Sequence, residues 1–191
     1  MRIQQPDREP DVEIRVLGRC APGGSKDTGV IYRKGPNGTK IPVTDETGKI
    51  KTFVRDNSGE GGKHWRSAVA KAGHEAMGGA ELLDGPLYVE VTLIRKRGPG
   101  HYGQGRNRGL LLPSAPMYPA TAPDATKLMR STEDALTGVV WRDDSRNCTT
   151  HVEKVFAEPG EPEGAEIRVW TLTAQLGETA RTPADQLALS A

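Results

Sequence analysis

The sequence predicts an α+β domain, a single mixed β-sheet with helices packed on one side, and three observations carry that prediction. Stretches of period-two alternation at 12–16, 87–93 and 167–171 are interleaved with stretches of helical spacing at 63–77 and 125–136. The coarse order is strand, hairpins, helix, strand, long basic loop, helix, strand, strand, without an internal repeat. At 191 residues the chain fits one domain with a sizeable core, while 23 glycines and 14 prolines imply many loops.

The first ten residues are polar and are expected to be disordered. Val12, Ile14 and Val16 then alternate with charged residues as a strand that buries one face and ends at Gly18. The turn Ala21-Pro22-Gly23-Gly24-Ser25-Lys26 lacks the full spacing of a P-loop, and Lys26 is its one candidate for a phosphate contact. Residues 28–55 predict a pair of hairpins turning at Pro36-Asn37-Gly38 and Glu46-Thr47-Gly48. Basic residues line both arms, either as a solvated face or as a nucleic-acid contact. A helix from about Lys63 to Met77 buries Trp65, Val69, Ala72 and Ala76, with Trp65 as a packing residue, and Gly78-Gly79 stops it. Leu87, Val89, Val91 and Leu93 face one way along the clearest strand of the chain, and Tyr88, Glu90 and Thr92 the other.

Charge is distributed unevenly although its sum is only +1. Residues 95–108 carry Arg95, Lys96, Arg97, Arg106 and Arg108 with no acid, in a glycine-rich loop suited to contacts with phosphates. From residue 157 onward the balance is acidic, and from about Gln175 the tail has no strong period. Two cysteines, no signal peptide and no long apolar run predict a soluble cytoplasmic protein with no membrane span and no disulfide framework. No His or Cys spacing matches a zinc site.

The stretch 121–156 holds the candidate chemistry. Asp124 is a preferred N-cap, and Pro123 discourages an earlier helical turn. Ala125, Leu128, Met129, Thr132, Ala135 and Leu136 make one buried stripe, whereas Thr126, Lys127, Arg130, Glu133, Asp134 and Thr137 make a polar face. Gly138 ends the helix, Val139-Val140-Trp141 follow, and Asp143-Asp144 stand where the next strand begins, along which Cys148, Val152 and Phe156 alternate with polar neighbours. Carboxylates at the head of a helix and at a strand start are a common way to bring oxygen ligands to a hard divalent cation. The plainer alternative is that Asp124 only caps and Asp143-Asp144 only turn.

Pro123-Asp124-Ala125-Thr126-Lys127-Leu128-Met129-Arg130, then Asp134-Ala135-Leu136-Thr137-Gly138, then Trp141-Arg142-Asp143-Asp144-Ser145, resembles the RusA-type Holliday-junction resolvases. Their hallmark is Asp-x-Asp-Asn-Leu-x-Lys, then Asp-Ala-Leu, then an Asp-Asp pair. The resemblance takes in residues 11–174 as a RusA-like endonuclease domain and leaves out 1–10 and a weakly ordered tail at 175–191. It implies a dimeric, magnesium-dependent crossover-junction endodeoxyribonuclease acting on four-way DNA junctions in recombination and repair. Asp124, Asp144 and the adjacent Asp143 become the implied Mg2+ ligands, and Asp124, Asp144 and Arg130 the implied catalytic set. Arg130 stands at the family lysine and keeps the charge without a proton to give, so it fits a transition-state clamp. Asp134 matches the family aspartate before Ala-Leu and is placed to orient Arg130 by an ion pair. Thr126 replaces the second motif aspartate, and either Asp143 or a water fills that gap, or activity is weakened. If catalysis is lost through that gap, the resemblance leaves a branched-DNA-binding protein. Lys26, Arg95, Lys96, Arg97, Arg106 and Arg108 are the expected DNA contacts, with Thr126, Lys127 and Asp134 supporting the site.

Overall fold

Alternation along the first strand, β1 (Val12–Leu17), leaves Ile14 and Val16 buried and Glu13, Arg15 and Leu17 exposed, as its sequence requires. The structure, a computed structural model, describes residues 3–23, 26–56 and 59–172, so the tail expected to be weakly ordered lies outside the described residues. β1 pairs antiparallel with β8 (Gly164–Thr171), and β8 pairs antiparallel with β6 (Leu87–Arg95). β6 runs parallel to β7 (Asn147–Phe156), which gives one mixed four-stranded sheet in the order β1-β8-β6-β7.

Two helices cover one face of this sheet, α1 (Gly59–Met77) and α2 (Ala125–Leu136). Leu87, Val89, Val91 and Leu93 of β6 are all 0% exposed and pack with Ile14, Val16, Ile167 and Val169 against Trp65, Val69, Leu128, Leu136 and Trp141. Burying several such side chains contributes about 1.5–3 kcal/mol apiece, which makes this face the main source of stability. The opposite face is charged. Arg168 lies 3.4 Å from Glu13 and 3.6 Å from Glu90, Arg15 pairs with Glu161 and Glu166, and Tyr88 meets Trp170 edge-on.

α1 differs from its expected form. It begins at Gly59, and its buried positions are Gly62, Trp65, Val69, Gly73 and Met77, while Ala76 is exposed. A Cβ at Gly73 would sit 2.9 Å from Leu136 Cδ2 and 3.0 Å from Val139 Cγ1. Any side chain there would have to displace Leu136 and Val139, and a glycine gives no apolar signal to reveal the contact. Trp65 Nε1 donates to Thr132 Oγ1 at 3.1 Å and joins α1 to α2, so the packing role expected of Trp65 is met.

Cys148 does not share the inward face expected of it. The β6–β7 register steps from Leu87↔Asn147 to Tyr88↔Thr149, which leaves Cys148 unpaired at a bulge and exposed. The two expected hairpins are present but share a stem. β2 (Lys26–Val30) pairs with β5 (Thr52–Asp56), and between them β3 (Tyr32–Lys34) pairs with β4 (Lys40–Pro42), while Thr44 bridges Ile50 around the second turn. Residues 3–10 have no regular element, yet Arg8 is fastened: its guanidinium reaches Asp11 at 2.6 Å and Thr171 O at 2.8 Å. Among the described residues no helix is long and apolar enough to cross a membrane.

Candidate active site

Asp124 caps α2 as its sequence predicts, with Oδ1 accepting from the Lys127 backbone N–H at 2.8 Å. That bond, more than the Lys127 ammonium 3.4 Å from Oδ2, holds the carboxyl below its ordinary range. The segment ahead of the cap is tethered to the sheet. Lys154 Nζ donates to Thr121 O at 2.8 Å and to Pro123 O at 2.9 Å, and Arg95 Nη1 reaches Ala122 O at 3.5 Å. Lys154 was not among the residues anticipated from sequence. Its signal was a cation on the same strand parity as Val152 and Phe156, where the pattern calls for an apolar residue.

Thr126, Lys127, Arg130 and Asp134 all lie exposed on α2. The ion pair expected between Arg130 and Asp134 is not formed, and among the described residues neither has another partner. An arginine one turn ahead of an acid is the less favourable order on a helix, and water competes for both groups. Glu133 has a definite partner instead, accepting from Asn147 Nδ2 at 2.6 Å, and so ties the far end of α2 to the start of β7.

Beyond α2, Gly138 takes φ 76°, Val140 and Trp141 are buried, and the acid pair follows. Asp143 accepts from the Ser145 N–H at 2.9 Å, and the Ser145 hydroxyl and N–H lower its pKa. Asp144 opens a 3₁₀ turn to Arg146 and is exposed. Asp84, unnoticed in sequence for want of any local pattern, takes Arg142 Nε at 2.9 Å and Arg146 Nη2 at 2.7 Å. The guanidiniums nearest the acid pair are therefore already engaged.

Within one chain Asp124 and Asp144 stand at opposite ends of α2. Asp124 is anchored near Lys154, towards the end of β7, and Asp144 just before Asn147, where β7 begins. The helix from Asp124 to Glu133 alone spans roughly 14 Å at about 1.5 Å per residue. Oxygens sharing one magnesium at about 2.1 Å lie roughly 4 Å or less apart. Among the described residues no three of His, Cys, Asp and Glu form a group able to hold a metal. The donors are right in kind for a hard cation, being exposed carboxylates, but one chain alone does not bring Asp124, Asp143 and Asp144 together.

Two of the expected DNA contacts serve the loop itself. Arg95 is half-buried on Ala122 O, and Arg97 lies 4.1 Å from the centre of the Phe156 ring while donating to Pro116 O at 2.7 Å. The loop turns back on itself through Leu112 N to His101 O and Gly103 N to Leu110 O, both 2.9 Å. This places Lys96, Arg106 and Arg108 in solvent. Lys26 opens β2, and only its backbone is described.

A family model described as Endodeoxyribonuclease RusA matches residues 36–169, about the whole span from the first hairpin turn through β8. The chain belongs to the RusA endodeoxyribonuclease family. The match takes in α2, the acid pair and the basic loop, and the α+β fold with its mixed sheet agrees with it. No curated protein matches the chain.

Proposed function

We propose that this RusA-family chain is a cytoplasmic, magnesium-dependent crossover-junction endodeoxyribonuclease that hydrolyses phosphodiesters of four-way DNA junctions in recombination and repair, working as a homodimer. The observation that carries the reading is the family match across both acid-bearing ends of α2. Because those ends are separated within one chain, the reading assigns the Asp124 end of one copy and the Asp143-Asp144 end of a second copy to each site. A two-fold dimer then has two equivalent sites, as paired cuts in a four-way junction require. Magnesium, when bound, would supply Lewis-acid activation of water and neutralise phosphate charge.

The protein's own residues have distinct tasks in this reading. Asp124 is held ionised and in place by the Lys127 N–H and by the Lys154 tether behind it. Arg130, one turn along α2 from Thr126, is the cation that stabilises charge growing on the phosphoryl oxygens. Lys96, Arg106 and Arg108 stand free to meet the backbone of the arms.

Mixing inactive variants tests the shared site. Asp124→Asn and Asp144→Asn are each expected to abolish junction cleavage alone. In the mixed dimer both substitutions fall in one site and the other is intact, so nicking at about one site per dimer returns. No recovery on mixing, with subunit exchange verified, counts against the shared site. Cleavage by either variant alone counts against the acid assignment, and junction binding with no cleavage by wild type in magnesium would leave branched-DNA binding as the activity.

A further inference from the structure

The hairpin β3–β4 carries a second basic patch, besides the loop at 95–108. From Tyr32 to Pro42 it carries Arg33, Lys34 and Lys40 and no acid. All three cations are exposed, and among the described residues none has an ion-pair partner. Register places Lys34 directly opposite Lys40, with Tyr32 opposite Pro42 on the same face. Like charges facing each other across an antiparallel pair destabilise it, so this pairing works against the hairpin unless an anion lies over it. The scaffold beneath is firm. Gly35 N donates to Thr39 O at 2.7 Å, the Thr39 hydroxyl donates to Pro36 O at 2.9 Å, and Ile41 covers Gly35 so closely that a Cβ there would lie 2.6 Å from Ile41 Cδ1.

The neighbouring turn gives a contrast. It bears Asp45 and Glu46 beside Lys49 and Lys51, and the Asp45 carboxylate is taken by its own turn through Thr47 N, the Thr47 hydroxyl and Lys49 N. Of these two turns only the 32–42 hairpin is single-signed, as the 95–108 loop is elsewhere in the chain. A two-stranded ribbon with unpaired cations and an exposed tyrosine matches the backbone of double-helical DNA, whose major groove admits such a ribbon.

We propose that the 32–42 hairpin is a second DNA-contacting surface that grips the phosphate backbone of a duplex arm through Arg33, Lys34 and Lys40. The inference rests on the nuclease reading for its substrate. Each phosphate contact contributes about 0.9 to the slope of log affinity against log salt, so three contacts contribute roughly 2.7. The test compares wild type with the full-length Arg33→Gln/Lys34→Gln/Lys40→Gln variant on a synthetic four-way junction and on linear duplex of equal length, in EDTA, across a salt series.

The expected result is a slope shallower by about 2 to 3 on both DNAs, with a melting temperature equal to or above wild type because the Lys34–Lys40 repulsion is gone. Cut positions in magnesium stay the same. An unchanged slope with wild type binding normally overturns this inference and leaves the nuclease reading standing. A slope lost on the junction but kept on the duplex also overturns it, since the contact would then be to the branch point. If wild type neither binds nor cuts the junction, both readings fall together.

Discussion

Lys154→Met is the perturbation that separates the tether behind Asp124 from everything else the sheet does. Methionine keeps the apolar stem on β7 and removes the ammonium that donates to Thr121 O at 2.8 Å and Pro123 O at 2.9 Å. Hydrogen bonds from a charged donor contribute about 1.5–3 kcal/mol each when no water replaces them. Thr121 is exposed, so its carbonyl regains water at little cost, whereas the half-buried Pro123 carbonyl regains less. A net loss of about 2 kcal/mol follows. For a domain of this size that lowers the melting temperature by roughly 4–8 °C. The catalytic effect should be larger in proportion, because a carboxylate displaced by about 1 Å can cost about a hundredfold in rate. Thermal unfolding and junction cleavage measure the two effects side by side, and Lys154→Arg, which keeps a charged donor, should recover most of both. A Lys154→Met protein that melts and cleaves like wild type would refute the tether.

The N-terminal lock gives a pH-dependent prediction. Asp11 accepts from Arg8 at 2.6 Å and from Thr171 N at 2.6 Å, with the Arg8 bond the largest cause of a folded-state pKa well below the ordinary carboxylate value. A depressed carboxylate contributes stability that is present above the unfolded pKa of about 3.9 and is lost as pH falls below it. Asp11→Asn should therefore cost about 1–2 kcal/mol at pH 7, discounted for partial exposure, and the gap should narrow in denaturant titrations below about pH 4; a gap independent of pH would contradict the linkage. Thr126→Asp adds a carboxylate on the exposed first turn beside Asp124 and should lower the magnesium needed for half-maximal cleavage, with a favourable helix-dipole contribution of about 0.3–1 kcal/mol to the fold. A magnesium titration that does not move would show that position 126 takes no part in holding the cation.

Much of the fold was legible because its signals were periodic. The alternation of β1, β6 and β8 and the capped stripe of α2 are local patterns that tertiary contacts only complete. What escaped was set by contacts between distant segments. Gly73 is buried because α1 meets Leu136 and Val139 there, and no pattern within α1 announces a helix 60 residues away. Arg95 and Arg97 read as free cations in composition, yet the carbonyls of Ala122 and Pro116 and the ring of Phe156 claim them only after the loop has closed.

The acid pair raises a different problem, since its distance from Asp124 depends on which way the chain leaves Gly138. A helix of 12 residues between Asp124 and Gly138 spans roughly 18 Å at about 1.5 Å per residue, and with Asn147 tied to Glu133 at its far end the carboxylates flanking its two ends do not meet on one cation in the same chain. The same length bears on Thr126. Position 126 lies on the first turn and Asp143 beyond the last, so the compensation of a missing carboxylate by Asp143 cannot take place within one chain. If Asp143 makes good that loss, it does so from a second copy laid with its α2 reversed against the first. The departure at Thr126 and the need for a dimer are then one question, and a monomeric variant that still cleaved would answer both in the negative.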